Sequence, residues 1–143
     1  MPLPIIKNIT MDFNQLVNEK LNPLFFKHGF RETEKGYNWI KFFSACNEVV
    51  ISYNSSDKQC LVEAGKKDEI LYPLNQKAIK AVFGLDVEID DVQKEVFIEN
   101  IVFFFQYGGI LLLFCQNGKL TELSSFIENE SKNYTAGLFK RKS

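Results

Sequence analysis

Residues 90–115, DDVQKEVFIENIVFFFQYGGILLLFC, form the most apolar stretch of the chain, and their reading decides the fold. Asp90 is followed three residues later by Gln93, the spacing of a capping box that satisfies orphan backbone N–H groups at a helix start. Asp91 and Glu95 suit the positive end of the helix dipole. Val96, Phe97, Ile101, Phe104 and Phe105 then fall on one helical face, and Ile98 and Val102 add a second apolar strip. The spacing therefore predicts a helix that starts wet and ends in the core, stopped by Gly108-Gly109. In a rival reading IVFFFQY and ILLLFCQ are two buried strands joined by Gly-Gly. Capping spacing and run length favour the helix. The uncharged run is shorter than the roughly 20 apolar residues of a membrane span, and Gln106 interrupts it.

Working outward, the segment before this stretch has a different period. A first helix is expected from Asp12, with Gln15 completing a capping box and Met11 and Leu16 placed as a hydrophobic staple. Its apolar face is Phe13, Leu16, Val17, Leu21, Leu24 and Phe25. Pro23 should kink it or start a new turn after Asn22, and Gly29 should cap it. From Phe30 the pattern becomes extended. Short strands are expected at 30–33, 37–44, 48–54 and 59–64, with turns at Glu34-Lys35-Gly36, Cys46-Asn47 and 55–58. Successive strands joined by short turns imply an antiparallel meander.

Beyond the meander, Pro73 is expected to open a short helix with Leu74, Ala78, Ile79, Val82 and Phe83 inward and Gly84 at its end. Residues 85–89 form a linker that alternates apolar and acidic. After a turn at Asn117-Gly118, residues 120–130 read as a last amphipathic helix. Residues 1–11 are expected as an extended arm and 134–143 as a frayed tail. The sum is one α+β domain over 1–143. It has an N-terminal amphipathic helix, a meander of about four strands, and about three helices packed on one sheet face.

Composition narrows the function. A net charge of −1 gives no electrostatic reason for a nucleic-acid partner. Three cysteines, Cys46, Cys60 and Cys115, lie among apolar residues and read as buried free thiols of a reducing compartment. The first ten residues have neither a basic start nor a long apolar run, so no secretory signal is read and the expected location is cytoplasmic. One histidine, His28, cannot build a typical zinc site, and at a helix end it suits the dipole. No nucleophile elbow, phosphate loop or metalloprotease helix occurs, so no catalytic, cofactor or metal residues are assigned and no enzyme is expected.

Two patches remain as candidate interface. Tyr37, Trp39 and Phe43 share one face of a strand that is apolar on both sides. If one sheet face is open, Tyr37, Trp39 and Tyr53 make its natural hot spot. Asp86 and Glu88 form an acidic edge suited to a basic protein partner, and the segment lacks the glycine turn and terminal glutamate of a calcium loop.

The run LNPLFFKHGF at 21–30, followed by Tyr37-Asn38-Trp39-Ile40 and the meander, resembles small bacterial α+β proteins, some assigned as immunity proteins of polymorphic toxin systems. The resemblance covers roughly residues 12–64 and rests on a helix stop and a strand start. It transfers no functional residue. It implies one high-affinity partner, a basic toxin or similar, and no chemistry of the chain's own. The expectation is a non-catalytic protein-binding module. The alternative is a small-molecule-binding domain with an apolar pocket between sheet and helices.

Overall fold

Asp12 accepts a hydrogen bond from the Gln15 amide, and the Gln15 side chain accepts one from the Asp12 amide. This reciprocal box starts α1 (Phe13–Lys20) in the computed structural model, which describes residues 12–106 and 119–142. Pro23 then sits in the first turn of a second short helix, α2 (Asn22–Lys27), where its missing N–H has no intrahelical partner to lose. Gly29 follows at φ +86°, a left-handed conformation open to glycine, and turns the chain into the sheet.

The sheet has five antiparallel strands in sequence order: β1 (Arg31–Gly36), β2 (Trp39–Phe43), β3 (Asn47–Asn54), β4 (Gln59–Lys66) and β5 (Tyr72–Pro73). Alternation decides its two faces. Ile40 and Phe42, Val49 and Ile51, and Val62 and Ala64 point the same way and are fully buried. The three helices that follow are α3 (Gln76–Phe83), α4 (Lys94–Phe104) and α5 (Lys119–Lys142). All five described helices contribute side chains to the one core against those strand residues, α5 through Leu123. A run of ring contacts joins the layers. Phe42 meets Phe25 at 4.6 Å between centroids, Phe25 meets Phe105 at 5.2 Å, Phe105 meets Phe104 at 5.2 Å, and Phe104 meets Phe83 edge-on at 5.0 Å. Among the described residues no helix is long and apolar enough to cross a membrane.

The α+β fold, the N-terminal helix, the meander and the one-sided helical layer are as the sequence implies. Several boundaries are not. The first strand runs on to Gly36, so the hairpin turn is Tyr37-Asn38 and Tyr37 lies outside β2. Asn38 takes the positive φ there, 61°, which asparagine tolerates better than most residues. Pro73 is an edge-strand residue, not a helix start. Asn75 caps α3 instead, its side chain accepting from the Ala78 amide.

Asp90 and Asp91 do not cap α4. Gln93 stands at the N-cap with no side-chain cap bond, and Asp91 adopts φ 55° in a turn before it. The Asp90 carboxylate instead accepts from the Gln76 amide at 3.3 Å, at the start of α3, while the Gln76 side chain accepts from the amides of Ile89 and Asp90. The box pattern was satisfied in space by another helix. The helical reading of the central stretch holds through Phe104, so 101–104 is not a strand; Val96, expected inward, is exposed. The last helix continues to Lys142, past the 120–130 amphipathic segment and through positions expected as tail. The arm at 1–11, Met11, the Gly108-Gly109 stop, Cys115 and the Asn117-Gly118 turn lie outside the described residues.

Phe42 is fully buried between β1 and β3 and against Phe25. Phe42→Ala should destabilise the fold by about 3–5 kcal/mol, a large part of the roughly 5–15 kcal/mol available to a domain. Urea unfolding checks this: the midpoint falls sharply while the slope is kept.

Candidate protein-binding surface

The same alternation that buries Ile40 and Phe42 turns Trp39, Lys41 and Phe43 to the other side of β2. Register carries that side across the sheet. Trp39 stands beside Ser52 and then Leu61; Lys41 beside Val50 and then Glu63; Phe43 beside Glu48 and then Gly65. Trp39, Phe43 and Val50 are only half-buried, and Leu61 is 38% exposed. None of the four belongs to the core, to which the described helices contribute on the opposite side. Among the described residues this is the face left outside the core, and in that sense the open face, the condition that the aromatic strand pattern raised.

Local packing holds its aromatic groups in place. Gly36 pairs with Trp39 across the hairpin, and a Cβ at Gly36 would fall inside the indole, within 2.8 Å of Cζ2. The Nε1–Cε2–Cζ2 side of the indole therefore packs directly over the glycine Cα, in space that only glycine leaves free. The Gly36 carbonyl accepts from the Asn14 amide side chain at 2.8 Å, which ties this hairpin to α1. The Lys41 ammonium is 5.7 Å and the Lys67 ammonium 5.0 Å from the Phe43 ring centroid, within cation–π range. Lys41 also pairs with Glu48 at 3.7 Å, and the Asp68 amide donates to the Glu48 carboxylate at 3.4 Å. Glu48 is thus nearly buried with both a cation and a donor beside it. Burial in the middle of β4 pushes the Glu63 carboxyl above its ordinary value.

The residues singled out from the sequence do not all meet here. Trp39 lies on the open face, and Tyr37, 85% exposed, stands at the hairpin tip next to it. Tyr53 points the other way: it shares the helix-covered face with Val49 and Ile51, stacks on Phe13 at 5.7 Å, and lies 5.4 Å from the Lys94 ammonium. Its place in a joint hot spot with Trp39 is therefore corrected, since one position of parity sends it to the other side of the sheet. Asp86 and Glu88 are exposed on the connection between α3 and α4, in the helical layer. Asp86 pairs with Lys80 at 3.1 Å, and the Glu88 carbonyl accepts from Asn100.

Besides Glu48 and Glu63 on the open face itself, three further carboxylates gather at its Leu61 corner. A cleft of about 570 Å³ runs where Ser52 and Leu61 meet the edge of β4, and Asp57, Asp90 and Asp91 line it with Asn54, Gln59 and Asn75. Each acid is held: Asp57 accepts from the Gln59 amide, Asp90 from the Gln76 amide, and Asp91 from the Gln59 side chain at 2.8 Å. Sequence separation hid this grouping, because 57, 75 and 90 come together only when the hairpin, the α3 cap and the turn before α4 converge. Cys60 borders the same cleft. Burial, with Glu95 adding and Lys94 subtracting, pushes its thiol up to about 12, so it stays protonated and unreactive at neutral pH. At the opposite end of the sheet a cleft of about 270 Å³ gathers His28, Ser44 and Cys46, where Ser44 Oγ accepts from the Asn47 amide; Cys46, expected buried, is exposed there because it stands in the turn between β2 and β3. Between sheet and helices the centre is filled by core side chains such as Phe13, Phe25, Phe42 and Phe104, and at the β5 side a cleft of about 400 Å³ opens between Lys66, Tyr72 and Ile70 and the Leu120, Thr121 and Ser124 side of α5. Among the described residues no group of three or more His, Cys, Asp or Glu side chains is placed to hold a metal ion.

Gly36→Ala should lift the indole of the chain's single tryptophan off the hairpin and shift its fluorescence to the red; an unchanged spectrum would contradict this close packing. Glu63 gives a pH test. Its carboxyl is raised in the folded state, so the stability it contributes is complete below the unfolded value and is lost as pH rises through the folded one. Glu63→Gln should therefore raise Tm at pH 7 and leave it nearly unchanged at pH 4, as read by thermal unfolding at both values.

Set against known proteins, the chain matches no family model, no curated protein and no solved structure.

Proposed function

We propose that the chain is a non-catalytic protein-binding module that docks a folded partner on the open face of β2, β3 and β4. The observation that supports this best is the division of the sheet. One face is sealed by five helices, while the other carries half-buried Trp39, Phe43 and Val50 and exposed Leu61 outside the core. Aromatic side chains already immobilised by their own scaffold bind at low entropic cost, and Trp39 on Gly36 is so held. Polar groups interleave with them: Lys41, Glu63 and Ser52 sit in the same cross-strand rows. A mixed surface of this kind suits a partner that is also stable alone, since permanent interfaces are more apolar.

The carboxylates Asp57, Asp90 and Asp91 at the Leu61 corner favour a partner with basic groups facing them. A toxin-neutralising immunity role fits this surface, because it asks for one tight partner and no chemistry of the module's own. Steering by these carboxylates would speed encounter and make it salt-dependent.

The test is a tagged pull-down with the captured protein identified and then titrated against purified variants. A stoichiometric partner should lose about 30-fold or more in affinity with Trp39→Ala and be lost with Leu61→Arg. It should be little affected by joint charge reversal of Asp86 and Glu88. The reverse pattern, with the double reversal abolishing binding and Leu61→Arg harmless, would move the interface to the helical layer and sink the open-face reading.

A further inference from the structure

The two edges of the sheet are treated differently, and the difference points to a second mode of recognition. Strand edges present unpaired backbone groups and are normally blunted by charge, bulges or covering chain. The β1 edge is blunted in this way. Its exposed residues Arg31, Glu34 and Lys35 carry both signs of charge, and the register shifts at Thr33 between Glu32 and Glu34. On the other side β4 has eight residues and β5 only two, pairing with Glu63 and Ala64. The Leu74 amide makes one more bond, to the Val62 carbonyl at 2.8 Å, and the chain then leaves the edge to start α3 at Asn75.

What lies beyond Val62 follows from strand geometry. In an antiparallel ladder the N–H and C=O of one residue point to the same side, and the side alternates along the strand. Val62 faces β5, so Cys60 faces the same way. A second bond agrees. The Tyr53 amide donates to the Asn38 carbonyl at 2.9 Å, towards β2, so the Tyr53–Cys60 pair is one whose backbone groups turn away from each other. Both backbone groups of Cys60 are therefore directed out of the sheet, past the end of β5, into the 570 Å³ cleft that Cys60 borders. The cleft's far wall is Asn75, Asp90 and Asp91, and its lining holds three carboxylates and no cation.

We propose that this slot on the edge of β4 takes an extended, basic peptide segment of a partner protein. The segment would exchange a backbone hydrogen-bond pair with Cys60 and extend the line of β5. Leu61 and Ser52 lie on the open-face side of the slot, so side chains alternating along the segment meet the open face on one side and the carboxylates on the other. Lysine or arginine opposite Asp57 and Asp91 supplies the charge that the cleft lacks. The slot uses backbone groups, so it does not require that a folded partner also use the open face.

The experiment uses the full chain, isotope-labelled, and the acetylated and amidated peptide Lys-Val-Lys-Val-Lys as probe, with amide exchange and chemical shifts as readouts. In the free chain the Cys60 amide should exchange about 100-fold or more faster than the Leu61 amide, which bonds within the ladder. The peptide should cause a saturable shift at Cys60 and slow its exchange. The same peptide N-methylated at alternate residues should do neither, and Glu-Val-Glu-Val-Glu should not bind. Joint Asp57→Asn and Asp91→Asn should weaken the lysine peptide about tenfold while leaving Tm in place; asparagine also tolerates the positive φ of position 91. A protected Cys60 amide in the free chain would overturn the proposal. So would equal binding by the N-methylated peptide, or no shift at Cys60 with millimolar lysine peptide. Leu61 lines both surfaces, but Trp39 does not line the slot, so Trp39→Ala in the pull-down reads the open face alone and the peptide outcomes at Cys60 read the slot alone.

Discussion

Phe25 is the side chain on which the arrangement of layers depends. Its ring touches Phe30 at the start of the sheet, Phe42 in β2 and Phe105 at the end of α4. Its carbonyl accepts from the Phe30 amide at 2.9 Å, so the turn from α2 into β1 closes directly on it. One residue therefore fixes where the sheet begins, which face of β2 points inward and where the central helix ends. Pro23 and Gly29 make that position reachable. The first restarts the helix, and the second lets the chain turn back without strain.

Sealing one face so completely has a consequence for the other. With every described helix committed to the Ile40, Val49 and Val62 side, the remaining face is stabilised by its own neighbours: indole on glycine, ammonium on phenyl, Lys41 with Glu48. These contacts keep Trp39 and Phe43 ordered without removing them from solvent. A surface that is ordered yet incompletely buried has less entropy to lose on binding than a flexible one. Glu63 belongs to the same logic. Its raised protonation tendency marks a carboxylate that would gain from a facing cation.

Much of this architecture was legible in the sequence because it rests on short-range rules. The Asp12–Gln15 box, the break at Pro23, the cap at Gly84 and the inward set of α3 each involve residues within one or two turns. The alternation of β2 told which residues oppose which. It did not tell that Tyr53 falls on the far side from Trp39, because that requires the register between strands. The Asp90–Gln93 spacing misled for a related reason. A capping pattern is only an offer of acceptors, and the Gln76 amide at the start of α3 took it.

The sequence by itself determined most of the elements, their order and most of each apolar face, since periodicity and capping act between near neighbours, but not β5, whose Tyr72–Pro73 pairing with β4 is long-range. It also determined the absence of the familiar catalytic motifs. Only the tertiary structure decided that every described helix packs on one sheet face, that Asp57, Asn75 and Asp91 share a cleft, and that β5 stops short of Cys60. Those are matters of register and of where distant turns converge. They are set by packing the helices on Phe25 and Phe42, which no local pattern encodes.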